Sequence, residues 1–309
     1  MTIPHGMYIW QLSSIRNDYI RSLQKLNCKR VYLKVLDDAS PGIFWSFQCN
    51  RQIVKQFTDA GIEVVGWGYI FDQKRIIDVE GIAQAVKTSL DMGCSGFVAD
   101  IEVETENIAT HPQVKELMTA LRGVVPQGCL GYTSFGNPED HPDVPWQILQ
   151  DACDYQQPQM YYALWGFGSN RAEVEIAFAQ HKRMGLDKKP IYPIWTTEPN
   201  GSKTTTPEEL QWFLNAYPGS AVYEASCNPS WQVDYSNKFP GPKTPATWFD
   251  IQRTKDGATV VTAYASDTPV DQISSHWKGD VIEFFKKYDT AGTILVAPCD
   301  KPIPVLVKK

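Results

Sequence analysis

The chain has 309 residues, of which 43% are hydrophobic, 21% charged and 12% aromatic, and its formal net charge is −6. An acidic balance argues against a general nucleic-acid-binding protein, which normally presents a basic surface. No apolar run approaches the about 20 residues that span a bilayer, so no membrane partner is expected. The first residues, MTIPHGMYIW, lack a basic segment followed by a long apolar one. We therefore expect synthesis in the cytoplasm without a signal peptide.

Seven cysteines and five histidines are scattered along the chain, without the pairs C-x-x-C, H-x-H or H-E-x-x-H. An odd number of dispersed cysteines predicts buried, reduced thiols and not a disulfide framework. The same dispersion predicts no metal site, because protein metal ligands recur at short, characteristic spacings. We expect no cofactor.

Short apolar runs alternate with amphipathic segments along the chain. The predicted strands are Met7–Leu12, Arg30–Leu36, Glu63–Ile70, Gly96–Glu102, Cys129–Ser134, Gln159–Leu164, Ile191–Thr196 and Ala221–Ser226. The predicted helices are Asn17–Leu26, Arg51–Ala60, Val79–Met92, Pro112–Val124, Pro145–Ala152, Arg171–Met184 and Pro207–Ala216. Two helices follow capping sequences, NRAE at Asn170 and TPEE at Thr206. Eight strands alternating with helices predict a (β/α)8 TIM-like barrel. A doubly wound sheet is the alternative, although the glycine-rich turn expected after its first strand is missing.

A proline- and glycine-rich stretch, NKFPGPKTPATW, follows the last predicted barrel strand. Such a composition is typical of a linker. We therefore predict a barrel over residues 1–238, a linker over 239–246 and a small α+β unit over 247–309. In that unit, WFDIQRT and ATVVTAYA read as a hairpin turning at Asp256 and Gly257. A helix in GDVIEFFKKYDTAG and a strand in TILVAP complete a ββαβ order.

Three carboxylates stand two residues apart in GFVADIEVE, residues 96–104. On a strand, Asp100, Glu102 and Glu104 point to one face, since alternate side chains share a face. Close like charges raise the pKa of at least one carboxyl group, and a carboxyl that stays protonated can donate to a glycosidic oxygen. We expect Asp100 and Glu102 to be such an acid and the neighbour that tunes or orients it. Glu104 is expected to occupy a solvated loop position.

Acidic and aromatic residues recur at the carboxyl ends of the predicted strands, where the active site of a (β/α)8 barrel lies. Tyr132, Tyr162 and Trp195 are predicted to face one cleft together with the acids of the fourth strand. Further candidates for substrate binding are Trp67, Glu198 and Glu224, and Glu198 is also a candidate nucleophile opposite Glu102. The acidic stretch NPEDHPD, residues 137–143, is expected to be a solvated loop.

Three motifs in order resemble the barrels of glycoside hydrolases that act on N-acetylated sugars. They are GFVADIEVE, LGYTSFG at 130–136 and PQMYYALW at 158–165. The positions that match the family 25 muramidases are Asp100, Glu102, Tyr132, Thr133 and Ser134. The family 18 chitinases share the D-x-E pair, and their M-x-Y pattern matches Met160 and Tyr162.

This resemblance implies that Glu102 is the proton donor and that Asp100 orients the acetamido group of the substrate, which serves as the nucleophile. It implies a lysozyme- or endolysin-like glycosidase acting on peptidoglycan or a chitin-like glycan. Because we expect no signal peptide and a small C-terminal unit, a lysin released to the cell wall by another route is expected. The first strand lacks the muramidase aspartate, and Phe97 and Ala163 replace chitinase aspartates. A non-catalytic barrel that binds carbohydrate or has a structural role is therefore the alternative.

Overall fold

The computed structural model describes residues 3–15, 18–37, 43–70, 78–162, 170–198, 205–225, 239, 247–255, 258–266 and 295–299. The chain divides into two compact units, residues 1–241 and 242–309.

The first unit is a closed parallel barrel, as predicted. Its strands are β1 Gly6–Ile9, β2 Arg30–Asp37, β3 Glu63–Ile70, β4 Phe97–Ile101, β5 Leu130–Phe135, β6 Tyr155–Met160, β7 Ile194–Thr196 and β8 Ala221–Tyr223. Each strand pairs in parallel with the next along the chain, and β8 closes on β1. The (β/α)8 TIM-like fold is thereby confirmed, and the carboxyl ends of all eight strands meet at one rim.

The helices that alternate with these strands begin and end close to the predicted positions. They are α1 Tyr19–Lys25, α2 Arg51–Asp59, α3 Val79–Asp91, α4 His111–Val124, α5 Trp146–Ala152, α6 Asn170–Arg183 and α7 Pro207–Ala216. The capping sequence before α7 forms a reciprocal capping box between Thr206 and Glu209, which satisfies two backbone N–H groups at the start of the helix. None of the helices among the described residues is long and apolar enough to cross a membrane.

Strand β6 lies four residues earlier than predicted. It spans Tyr155–Met160, whereas the apolar pattern favoured Gln159–Leu164, of which 163 and 164 lie outside the described residues. The sequence YQQPQM does not look like a buried strand, because it carries three glutamines and a proline. It forms one here because Gln156 and Gln157 are buried and make hydrogen bonds inside the fold.

Side chains of the barrel strands divide into two buried layers. An inner layer fills the barrel and includes Tyr8, Tyr32, Trp67 and Tyr155, with the rings of Tyr8 and Tyr32 stacked at 4.6 Å between centroids. An outer layer packs against the helices. Because alternate residues of a strand point to opposite faces, each strand contributes to both layers. The aromatic inner layer fills the barrel below the rim.

The second unit contains an antiparallel sheet of three strands in the order β10, β9, β11. Their bounds are β9 Thr247–Lys255, β10 Ala258–Ser266 and β11 Leu295–Cys299. Strand β9 pairs with both of the others. The predicted turn at 256–257 and the predicted helix over 279–292 lie outside the described residues.

Candidate active site

A cavity of about 650 Å³ lies at the carboxyl ends of the barrel strands. Five carboxylates are among the described residues that line it: Asp100, Glu102, Asp140, Glu173 and Glu198. Three tyrosines line it as well: Tyr161, Tyr162 and Tyr223. Flat rings and carboxylates in one cavity are the groups that bind and protonate sugars.

Asp100 and Glu102 are brought together at this cavity, as the sequence predicted. The amide Nε2 of Gln159 donates hydrogen bonds to Asp100 Oδ1 at 3.1 Å and to Glu102 Oε1 at 2.7 Å. Strand β4 ends at Ile101, so Asp100 still belongs to the sheet whereas Glu102 follows it. Gln159 on β6 thus holds both carboxyl groups across the rim of the barrel.

Burial raises the pKa of Asp100 well above its ordinary value of 3.8. The neighbouring charge of Glu102, and a hydrogen bond between the two groups, raise it further, while the ammonium group of Lys34 opposes the shift. Lys34 is itself buried, and its Nζ lies 2.7 Å from Asp37 Oδ2. A buried carboxyl group beside an anion favours the neutral form, so Asp100 retains a proton at pH values where an exposed aspartate has lost it.

Glu104 does not share the face of the other two acids. Residues Val103–Glu106 form a short 3-10 helix, which breaks the alternation of the strand after Glu102. Glu104 instead accepts a hydrogen bond from the hydroxyl of Tyr69, and it is not among the described residues that line the cavity. The common face predicted for three carboxylates therefore holds for two.

Tyrosines form one wall of the cavity. The rings of Tyr161 and Tyr223 stack with their centroids 5.6 Å apart and an interplanar angle of 23°. The hydroxyl of Tyr162 donates to Asn137 Oδ1. Gly136 lies close by, where a Cβ atom would come within 2.6 Å of the carbonyl oxygen of Gln159. Glycine is needed there, because a methyl group would displace β6, whose Gln159 holds the two carboxyl groups.

Tyr132 and Trp195 point away from the cavity, so the orientation predicted for them is wrong. Both belong to the outer layer. The hydroxyl of Tyr132 bonds to Gln150 of α5, and the ring of Trp195 packs on Phe213 of α7 at 4.8 Å. Each lies next to an inward-facing residue of its strand and therefore points outward. Burial did not reveal this, because both faces of a barrel strand are buried.

We expect Tyr132→Phe to destabilise the fold and to leave substrate binding unchanged. The hydroxyl donates to Gln156 Oε1 at 3.0 Å and accepts from Gln150 Nε2 at 2.9 Å. Its removal leaves two buried amides without that partner, which costs about 1–3 kcal/mol. The measurement is the free energy of unfolding in urea.

The control for Tyr132→Phe is Tyr19→Phe, which removes a hydroxyl from an exposed hydrogen bond with Gln56. The control should cost less stability, because water replaces an exposed partner. A Tyr132→Phe variant with normal stability and weakened glycan binding would contradict this assignment.

Of the remaining candidates, Glu198 lines the cavity, whereas Trp67 and Glu224 are not among its described lining residues. Trp67 belongs to the inner layer, and its Nε1 donates to the carbonyl of Ile9 at 3.2 Å. Glu224 is 2% exposed, and its Oε2 accepts from the backbone N–H of Trp10 at 3.1 Å. Trp67 and Glu224 therefore each hydrogen-bond to the backbone at the end of β1.

Comparison with known proteins finds similarity in structure. No protein-family model matches the chain, and no curated protein matches it in sequence. The PgaB (BpsB) glycoside hydrolase domain of Bordetella bronchiseptica superposes with a TM-score of 0.56 at 11% identity, over 78% of this chain and 100% of that one. The family 18 chitinase ChiB of Flavobacterium johnsoniae gives 0.55 at 10%, over 77% and 94%. A xylanase-A-amylase inhibitor protein gives 0.54 at 13%, over 77% and 98%.

This chain therefore shares the (β/α)8 fold of glycoside hydrolases, family 18 chitinases among them. The resemblance inferred from the sequence motifs is confirmed at the level of the fold. At sequence identities this low, a shared fold does not establish a shared activity, since one barrel architecture hosts many functions.

Several lining residues were missed by the sequence analysis. Gln159 and Tyr161 line the cavity, and so does Tyr162, as predicted. Of the M-x-Y match, only Met160 does not line the cavity, because it lies in the outer layer. The stretch 137–143, expected to be a solvated loop, contributes Asp140 and His141 to the cavity. The sequence signal that could have revealed them was a histidine within an acidic loop after a barrel strand.

No cluster of three or more potential metal ligands occurs within the described parts of the chain.

Proposed function

We propose that the chain is a glycoside hydrolase acting on an N-acetylated glycan, with bacterial peptidoglycan as the leading substrate and a chitin-like glycan as the other. The observation that carries the proposal is the carboxyl pair of Asp100 and Glu102, held by one amide of Gln159 at the edge of a cavity. A buried, proton-retaining acid beside a more exposed one is the arrangement needed for general acid catalysis at a glycosidic oxygen.

In this mechanism, Asp100 and Glu102 share one proton, which the O–H of Asp100 donates to the carboxylate of Glu102 in a hydrogen bond. Glu102 takes up that proton and donates it to the leaving glycosidic oxygen as the bond between that oxygen and the anomeric carbon breaks. Both carboxyl groups are then negatively charged, and Gln159 donates a hydrogen bond to each of them. This donor is in place before the charge develops, so the stabilisation requires no rearrangement.

Two groups are available to attack the anomeric carbon. One is the acetamido oxygen of the substrate, and the other is Glu198, which lines the same cavity. The two are separated by comparing an acetylated oligosaccharide with its de-N-acetylated counterpart in wild type and in Glu198→Gln. Participation of the substrate predicts that cleavage requires the acetyl group and survives the Glu198 substitution.

The proposal is tested by incubating the purified protein with peptidoglycan and, in parallel, with chitin. Loss of turbidity and release of reducing ends are the expected results on at least one of them. Glu102→Gln protein from the same preparation is the control for contaminating hydrolases. An absence of reducing ends on both substrates would refute the proposal.

A carbohydrate-binding barrel without catalysis is the second candidate. It is favoured by the absence of an acid on β1, whose inward residue is Tyr8, and by the inhibitor protein among the structures that share the fold. The same assay distinguishes the two, because a binding protein retains the glycan in a pull-down and releases no reducing ends.

A further inference from the structure

His141 lines the cavity and is held there on two sides. Its Nδ1 lies 2.6 Å from Glu106 Oε1. Its ring stacks on Phe135, with centroids 3.5 Å apart and planes at 7°. Its backbone carbonyl accepts from Trp146 Nε1 at 2.9 Å. These contacts restrict both the tilt and the rotation of the imidazole.

The pairing with Glu106 determines which edge of the ring faces the cavity. A carboxylate only accepts hydrogen bonds, so Nδ1 carries the hydrogen that is donated to Glu106. His141 and Phe135 line the cavity, whereas Glu106 is not among the described residues that do so. The Nδ1 edge therefore points away from the cavity, and the edge that carries Nε2 faces it. No hydrogen bond to that Nε2 is found within the described residues.

A nitrogen in this position selects a particular chemical group. Nε2 accepts a hydrogen bond when the imidazole is neutral and donates one when it is protonated. A hydroxyl group both donates and accepts, so it satisfies Nε2 in either state, whereas an amide N–H or a carbonyl satisfies only one. Because the ring is already held by Glu106 and Phe135, little further freedom is lost when a ligand binds.

We infer that His141 is a substrate-binding residue whose Nε2 hydrogen-bonds a sugar hydroxyl of the glycan, and that Glu106 is the residue that positions it. This inference rests on the proposed function for the identity of the ligand as a glycan. A purely structural role, in which the pair only joins the segments after β4 and β5, is the competing explanation.

His111 provides a matched control for that explanation. Its Nε2 lies 3.0 Å from the carbonyl oxygen of Thr105 and 2.9 Å from that of Asp143. It therefore joins the same two segments as the pair of Glu106 and His141. It is not among the described residues that line the cavity. Loss of His111 loosens the segments without removing a group from the cavity.

The experiment is calorimetric titration of an N-acetylglucosamine tetrasaccharide into variants that also carry Glu102→Gln, so that binding is measured without turnover. His141→Ala is expected to raise the Kd by about 3- to 10-fold, which corresponds to one hydrogen bond. His141→Gln, whose amide donates and accepts, should recover most of the affinity. Glu106→Ala should weaken binding as His141→Ala does, whereas His111→Ala should match the parent.

An unchanged Kd in His141→Ala, or an equal rise in His111→Ala, would overturn the inference, as would the absence of any glycan binding by the parent. The proposed function is judged separately, from release of reducing ends by the wild type. A wild type that releases no reducing ends, with a Kd that rises as expected in His141→Ala, upholds this inference and ends the hydrolase proposal. Hydrolysis by the wild type together with an unchanged Kd in His141→Ala upholds the hydrolase proposal and overturns this inference.

Discussion

Glu102→Gln will lower kcat by about 10²- to 10⁴-fold, the usual contribution of general acid assistance. The amide of glutamine has the shape of the carboxyl group and cannot donate its proton to the leaving oxygen. Gln159 Nε2 can still donate to the Oε1 of the new side chain, as it does to Glu102 at 2.7 Å. We therefore expect the fold and the Kd for the glycan to change little. The measurements are kcat and Kd on the glycan that proves to be cleaved.

The matched control for this substitution is Glu104→Gln, two residues further along the chain. Glu104 accepts from the hydroxyl of Tyr69, and a glutamine oxygen can accept in the same way. Its turnover should remain close to that of the wild type. If Glu102→Gln keeps near wild-type turnover, the pair of Asp100 and Glu102 is not the catalytic machinery, and Glu198, which lines the same cavity, becomes the leading candidate for the acid.

Asp100→Asn will stabilise the protein at neutral pH, and the gain will shrink as the pH falls. Burial first, and then the charge of Glu102, raise the pKa of Asp100 in the folded protein above its ordinary value of 3.8. Between 3.8 and the raised pKa, the folded state binds a proton that the unfolded state has lost. The cost to stability therefore grows with pH across this window, by up to about 1.4 kcal/mol per pH unit, and is constant above it. Asparagine has no such cost.

The measurement is the free energy of unfolding of wild type and Asp100→Asn at several pH values between 4 and 8. The control is Asp91→Asn, at an exposed carboxylate paired with Lys87 at 3.1 Å, for which only a small difference is expected. An asparagine variant that is less stable by the same amount at every pH would contradict the assignment. It would mean that Asp100 is ionised and is required by Lys34.

Asp100→Asn should also lower turnover, and it should shift the acid limb of the kcat profile. Asparagine can donate a hydrogen bond to Glu102 but has no acidic proton to pass to it, and the pH profile of two interacting acids belongs to both groups. A gain in stability together with a loss of activity is expected where a buried ionisable group serves catalysis. An unaltered profile would indicate that Asp100 acts only in folding.

The barrel was predictable because local patterns and the fold agree along most of the chain. Helix α7 begins at the capping sequence of Thr206, and β3 spans the residues expected, Glu63–Ile70. The carboxyl pair was predictable for a related reason. Asp100 and Glu102 stand at the end of an apolar run, and the carboxyl ends of barrel strands form the site.

The inward or outward orientation of other side chains was not predictable. In an antiparallel sheet with one wet face, polarity shows which residues point inward, but both faces of a barrel strand are buried. Tyr132 and Thr133 are 2% exposed, yet Tyr132 packs towards the helices and Thr133 pairs in register with Asp100. The polar strand β6 was misplaced because its glutamines make hydrogen bonds with partners far away in sequence, such as Tyr8.

The sequence by itself determined the order of strands and helices, the capping of α7 and the position of one acidic pair at a strand end. These features depend on periodicity and on contacts between residues a few positions apart. Only the tertiary structure decided that Gln159 joins the pair, that His141 and Asp140 line the cavity and that Tyr132 and Trp195 do not. Those placements depend on the register between neighbouring strands and on hydrogen bonds across the barrel. A sequence carries no local sign of either, because the partners lie tens of residues apart along the chain.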